Sequence, residues 1–219
     1  MFVYYITDRT QFPGDERART VALLGKIAEA ARWGVDLIQL REKDLSADQL
    51  ESLARAAVQV VRGQTPQAPI SGRRTRILIN SRVDVAIACA ADGVHLRSDD
   101  ISPRDVRNVW RSSAPRGEGG PALIGISCHS HAEVAKARLE GADFAVFAPV
   151  FEKKEMPGTI SSGLEALRQA CQESIPVLAL GGVTLENAGA CLEAGAAGIA
   201  AIRLFQQDDI ERVVSRLRP

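Results

Sequence analysis

Along this chain, short apolar runs repeatedly turn polar at their C-terminal ends. Ile38-Gln39-Leu40-Arg41-Glu42-Lys43, Ile77-Leu78-Ile79-Asn80, Gly125-Ile126-Ser127-Cys128-His129 and Leu178-Ala179-Leu180-Gly181-Gly182 share the pattern. A near-continuous apolar run fits a strand covered on both faces, and strands of that kind belong to parallel sheets. Parallel strands present all their C-terminal ends on one rim, so the polar endings gather there. A (β/α)8 barrel builds its active site in this way.

Eight strand candidates follow from the pattern: Phe2–Thr7, Asp36–Leu40, Arg76–Asn80, Gly93–Leu96, Ala122–Ser127, Asp143–Ala148, Pro176–Leu180 and Gly198–Ile202. Helical patterns separate them at Asp15–Trp33, Ala47–Val61, Val83–Ala91, Pro103–Arg111, Ala132–Glu140, Gly163–Gln172, Leu185–Ala194 and Asp208–Leu217. The alternation predicts an α/β fold, a single-domain (β/α)8 barrel over residues 1–219, with the active site on the C-terminal rim of the strands. An open doubly wound sheet would call for a glycine-rich fingerprint after the first strand, and Thr7-Asp8-Arg9-Thr10 has no glycine. A faint repeat of small-residue turns (Ala91–His95, Gly141–Ala145, Gly195–Ile199) feeds three of the strands. Arg62–Arg74 and Ser112–Pro121 read as loops on the opposite rim.

Lys plus Arg equals Asp plus Glu at 27 each, so no basic excess points to nucleic acid or an anionic membrane. Any recognition of anions must therefore be local. Four scattered cysteines without metal-type spacing read as reduced thiols, and no apolar run approaches a membrane span. The N-terminus enters a strand-like segment at once, so the expected location is cytoplasmic. The composition leaves room for a homo-oligomer.

On the rim, Gly181-Gly182-Val183-Thr184 precedes a helix predicted to open at Leu185, and Ile202-Arg203 follows the last strand. Glycines allow close backbone approach and helix starts offer free N–H groups, which suggests a phosphate site. Gln39, Arg41 and Lys43 alternate, so they point to one side. An amide and two cations there suit a diphosphate, whereas a surface ladder with Glu42 and Asp44 is the structural alternative. Asn80 ends the third strand, and His95 and Arg97 close the fourth. Asp99 and Asp100 then suit Mg²⁺ beside phosphate oxygens, or an N-cap ahead of Ser102-Pro103. Ser127 and His129 end the fifth strand without a nucleophile elbow, which leaves His129 as a candidate proton shuttle.

Tyr4-Tyr5-Ile6-Thr7-Asp8-Arg9, Gln39-Leu40-Arg41-Glu42-Lys43, Ile79-Asn80-Ser81-Arg82-Val83-Asp84, Ala91-Asp92-Gly93-Val94-His95-Leu96, Gly125-Ile126-Ser127-Cys128-His129 and Ala179-Leu180-Gly181-Gly182-Val183 occur in this order. Together they resemble the thiamine phosphate synthase family, which includes the related thiazole tautomerases. The resemblance implies a barrel in which an aminopyrimidine diphosphate ionises and a thiazole phosphate captures the cation. It implies that Tyr4 lines the pyrimidine site and that Gln39, Arg41, Lys43 and Asn80 hold diphosphate. It further implies that Asp100 binds Mg²⁺ and that Gly182, with the backbone around Ile202, holds thiazole phosphate. The partners it implies are phosphorylated small molecules.

Three positions depart from the synthase pattern: Ser81 replaces an aspartate, Met156 a lysine and Arg203 a serine. Lys153, Lys154 or Arg203 could restore the charge, Asp84 could stand in for the missing aspartate, and Glu152–Thr159 reads as a lid candidate. The leading expectation is a synthase. The alternatives are a thiazole tautomerase, needing no Mg²⁺ and using His129, and a non-catalytic binder of thiazole phosphate or thiamine phosphate.

Overall fold

The computed structural model describes residues 1–64, 74–113, 120–152 and 161–218. Its strands are β1 (Phe2–Ile6), β2 (Leu37–Leu40), β3 (Arg76–Asn80), β4 (Gly93–Leu96), β5 (Leu123–Cys128), β6 (Phe144–Phe147), β7 (Val177–Ala179) and β8 (Gly198–Ala201). Neighbours in sequence pair in parallel, and β8 closes onto β1. Between and after them run α1 (Glu16–Arg32), α2 (Ala47–Gly63), α3 (Val83–Ala88), α4 (Pro103–Ser113), α5 (His131–Leu139), α6 (Gly163–Ala170), α7 (Ala188–Glu193), α8 (Arg203–Gln206) and α9 (Ile210–Leu217). The chain thus forms the expected (β/α)8 barrel. No helix among the described residues is long and apolar enough to cross a membrane.

Several boundaries differ from expectation for local reasons. The helix predicted at Leu185 begins at Ala188. Asn187 accepts from Thr184 N–H (2.7 Å) and donates to Gly182 O (2.9 Å), so residues 184–187 are held as a turn. The stretch read as helical to Ala91 stops at Ala88, because Ala90 is left-handed (φ 53°) and Ala91 N–H returns to Ala86 O. The last helix starts at Ile210, where Asp209 caps Arg212 N–H at 2.8 Å. Helices α2 and α4 run into the segments read as loops, to Gly63 and Ser113. The 3-10 turn Arg9–Gln11 and the short α8 had no sequence signal.

Period-two alternation splits each strand between two cores. Outward residues such as Val3, Tyr5, Ile38, Leu40, Ile77 and Ile79 pack with the helices. Inward residues Tyr4, Ile6, Leu37, Leu78, Phe144, Val146, Leu178 and Ala200 fill the barrel. Phe144 sets its edge against Tyr4 with centroids 5.5 Å apart. Glycine is required opposite it, since a Cβ on Gly125 would overlap the Phe144 ring.

A repeated aspartate pins the rim away from the polar strand ends. Asp36, Asp92 and Asp143 each stand just before a strand. They accept the backbone N–H of Val3 (2.7 Å), Ile77 (2.8 Å) and Ile124 (2.7 Å) on the strand before. Each also pairs with an arginine, Arg218, Arg74 and Arg107 respectively. Two occurrences of the faint repeat, at Asp92 and Asp143, are thus register locks for β4 and β6, and Asp36 does the same for β2. The third occurrence of that repeat, ahead of β8, has Ala197 in the aspartate's place.

Candidate active site

The polar rim is organised by an arginine beneath it. Arg9 is almost fully buried and reaches Glu16 (2.6 Å), Glu42 (3.3 Å) and Asp44 (2.6 Å). Glu42, also buried, accepts from Thr7 Oγ1 (2.5 Å) and from Arg9 N–H (2.9 Å). These partners, Asp44 first, push the Arg9 guanidinium pKa up.

The acids between the alternating cations therefore face Arg9, and no ladder forms along Arg41–Asp44. Among the described residues, no carboxylate makes an ion pair with Arg41 or Lys43. Arg41 is half-buried, and its guanidinium is the main cause that holds the Lys43 ammonium below its ordinary value. Burial and Arg97 add to that depression, so three cations share one field. Arg97 was noted only as a strand ending in the sequence, and only its neighbours in space give it this place.

A polar chain crosses the rim beside them. Gln39 Nε2 donates to Asn80 Oδ1 (3.3 Å), Asn80 Nδ2 to Ser81 Oγ (3.2 Å) and Ser81 Oγ to Asp100 Oδ2 (2.7 Å). Ser81 holds this place with a left-handed backbone, φ 59°. Asp100 also accepts from the Arg97 backbone N–H (2.8 Å) and guanidinium (3.3 Å). The N-cap alternative for Asp99 or Asp100 fails: Ser102 accepts from Asp105 N–H, and Asp99 pairs with Arg97.

Mg²⁺ held mainly by substrate phosphates needs one or two carboxylates. Of the two candidates, Asp100 stands on the rim beside Ser81 and Arg97, whereas Asp84 is committed to Arg82 at 2.5 Å. No cluster of three or more acidic, histidine or cysteine side chains suits a metal among the described residues. The donor set thus fits a cation carried chiefly by a diphosphate.

Inside the mouth, His95 joins two candidates. Its Nδ1 lies 3.2 Å from Tyr4 Oη and its Nε2 2.9 Å from Ser127 Oγ. Burial, aided by Arg41, lowers the His95 pKa to about 3, so the ring is neutral at ordinary pH. Tyr4 lies beside Leu37 and Ala200, a layer below Ile6 and Gln39, and is fully buried. Its hydroxyl therefore meets His95. A separate groove of about 300 Å³ runs along the outer flank of the barrel, between the segment after β4 and α5, with Ile101, Pro103, Ile126, Cys128 and Lys136 in its wall.

His129 stands apart and exposed, with Nδ1 2.7 Å from the Ala148 carbonyl. A carbonyl only accepts, so Nδ1 carries a proton, and in the neutral tautomer that this bond selects the lone pair lies on Nε2. The adjoining residues Val150 and Phe151 donate to Leu180 and Gly181 carbonyls at 2.9 and 3.0 Å, joining the β6 and β7 ends. Gly181 (φ 96°) and Gly182 (φ 63°) are left-handed, and Cβ atoms there would crowd Pro149 and Phe151. Ile202 packs above the inner core, and Arg203 is exposed at the head of α8. Lys153, Lys154, Met156 and most of the lid segment lie outside the described residues.

The four cysteines are free, with Cys128 pushed up to about 12 chiefly by burial. His131 pairs with Glu173 at 2.9 Å, outside the mouth.

Known proteins resemble the whole of this arrangement. A sequence model of the thiamine monophosphate synthase family matches residues 3–205. A Syntrophomonas wolfei protein named thiamine-phosphate synthase is 33% identical over 221 residues, covering 99% of this chain and 94% of that one. A Geobacter sulfurreducens protein with a provisional thiamine-phosphate synthase name is 38% identical over 216 residues, covering 98% and 91%. Among solved structures, the thiamine phosphate pyrophosphorylase of Pyrococcus furiosus superposes with a TM-score of 0.77 at 27% identity, covering 99% of this chain and 93% of its own. The chain belongs to the thiamine monophosphate synthase family.

Proposed function

We propose that this chain is a thiamine phosphate synthase, joining an aminopyrimidine diphosphate to a thiazole phosphate. The observation that carries the reading is the cation group of Arg41, Lys43 and Arg97 beside Asp100, with Glu42 and Asp44 drawn away to Arg9. A leaving diphosphate needs such charge, and no nucleophilic side chain is required.

In the reaction, the bond between the pyrimidine methylene carbon and the diphosphate oxygen breaks, and its electron pair leaves with diphosphate. The thiazole nitrogen lone pair then forms the new carbon–nitrogen bond. Arg41 and Lys43 hold the departing charge, and Gln39 and Asn80 orient the oxygens through their amides. Ser127 offers a hydroxyl from the opposite side of the mouth. Gly181, Gly182 and the backbone at Ile202, with Arg203 near by in sequence, are assigned to the thiazole phosphate. Mg²⁺, carried by the diphosphate and Asp100, would supply further neutralisation. We place the reaction in the cytoplasm, in keeping with four free cysteines.

The test is a coupling assay with both substrates and Mg²⁺, following thiamine phosphate. Product is expected, and Arg41→Gln should lower kcat/KM by about a hundredfold. No product from folded protein that still binds thiazole phosphate would overturn the reading.

One observation favours a second reading. The Ala148 carbonyl fixes His129 with a free Nε2, as a base moving a ring proton in a thiazole tautomerase needs. There, isomerisation of the carboxylated thiazole phosphate should vanish in His129→Ala while the ligand still binds. An unchanged rate would remove it.

A further inference from the structure

Tyr4, His95 and Ser127 form one hydrogen-bonded line from the barrel interior to its mouth. A line of this kind has two possible proton orders. In one, Tyr4 donates to Nδ1, the Nε2–H donates to Ser127 Oγ, and the serine proton points onward. In the other, Ser127 donates to Nε2, Nδ1–H donates to Tyr4, and the phenol proton must find another acceptor.

The surroundings distinguish them. Tyr4 is 0% exposed among Ile6, Leu37, Phe144 and other inward apolar side chains. Among the described residues, its hydroxyl reaches His95 alone. The second order would strand a phenol proton where neither water nor protein accepts it, and a buried unmade hydrogen bond is costly. The first order strands nothing, because Ser127 is only half-buried at the end of β5, where its proton can reach solvent or a ligand. A neutral ring suits this line, since each nitrogen then has a single role.

We infer that Tyr4 and His95 are positioning residues that fix Ser127 as a hydrogen-bond donor toward an acceptor atom of the bound substrate. Tyr4 acts from a buried layer, through His95, without touching the ligand. The part that concerns substrate rests on the synthase reading; the proton order does not.

The experiment has two arms. Nitrogen-15 and proton correlation spectra of the imidazoles in the labelled protein read the tautomer directly. The chain has three histidines, and His95→Gln identifies the resonance. At about pH 7, His95 should be a neutral Nε2–H tautomer. An Nδ1–H tautomer or a protonated ring would overturn the proposal, whatever the activity.

The second arm is a double-mutant cycle on coupling with Tyr4→Phe and Ser127→Ala. Tyr4→Phe alone should raise the KM of the aminopyrimidine diphosphate by about tenfold with little change in kcat. In the Ser127→Ala background the same change should have almost no effect. Additive effects would show that Tyr4 does not act through Ser127, and would refute the positioning role even if the tautomer is as stated. If Tyr4→Phe does not fold, the spectrum of the unmodified protein still decides the proton order on which the role depends.

Discussion

Acid should destabilise this protein through His95. The ring is 2% exposed inside the barrel, with Tyr4 and Ser127 on its nitrogens. Burial first and the Arg41 charge second lower its pKa to about 3, while Asp100 pulls the other way. In the unfolded chain the imidazole titrates near its ordinary value of about 6.5. As pH falls, the unfolded state therefore binds the proton first. The stability linked to a neutral His95 is complete above about pH 6.5 and is lost progressively toward about pH 3. Between about pH 7.5 and about pH 5 the loss is roughly 2 kcal/mol, an order-of-magnitude figure from that difference in pKa. Urea unfolding at both pH values, with the unmodified chain and His95→Gln, isolates this contribution because other titrating groups largely cancel. The stability gap between the two proteins should move by about 2 kcal/mol, or about 1 M in the unmodified chain's urea midpoint relative to the variant's. Parallel pH profiles, within about 0.5 kcal/mol, would refute the argument that a neutral imidazole is enforced by burial.

Three further predictions concern the scaffold. Asp92→Ala removes the acceptor of Ile77 N–H and should cost about 1–3 kcal/mol in urea unfolding, with less than about 0.5 kcal/mol speaking against the register lock. Gly182→Ala puts a side chain on a left-handed residue whose Cβ would lie 2.8 Å from Phe151 Cβ. It should lose about 1–2 kcal/mol for the backbone alone. It should also weaken thiazole phosphate binding by calorimetry, and unchanged affinity would separate the turn from the phosphate site. Arg9→Met leaves Glu42 buried without its cation and should cost about 3–5 kcal/mol by thermal and urea unfolding. Diphosphate affinity should fall as well, and an unchanged affinity in folded variant would break the link between Arg9 and the rim.

The barrel was legible because the strands are apolar on both faces and several of them, β2, β3, β5 and β7 among these, turn polar or glycine-rich at their ends. That pattern depends on local composition alone, so strand order and the identity of the rim followed from it. Helix starts were less legible where a side chain competes with the backbone, as Asn187 does at residues 184–187. The role of Tyr4 was harder to read for a different reason. Strand position shows that it faces inward, but only register shows that it lies a layer below Gln39. Its tie to His95 joins residues 91 positions apart, and the room for that ring comes from Gly125. Neither relation leaves a periodic trace.

Arg9 illustrates how scaffold and chemistry become one problem. Alternation alone places Arg41 and Lys43 together and Glu42 opposite, but adjacent charges of opposite sign invite pairing along the strand end. Arg9 removes that option by holding both Glu42 and Asp44. Because Glu42 is buried, its charge must stay paired, and the nearest solution is outward, away from the mouth. The cost of repelling cations is visible in the depressed Lys43 and is accepted where a polyanion can relieve it. A binding site for negative charge is therefore set up by an ion pair that need not touch the ligand. The same residue that ties β1 to the segment after β2 determines which charges remain available to the reaction.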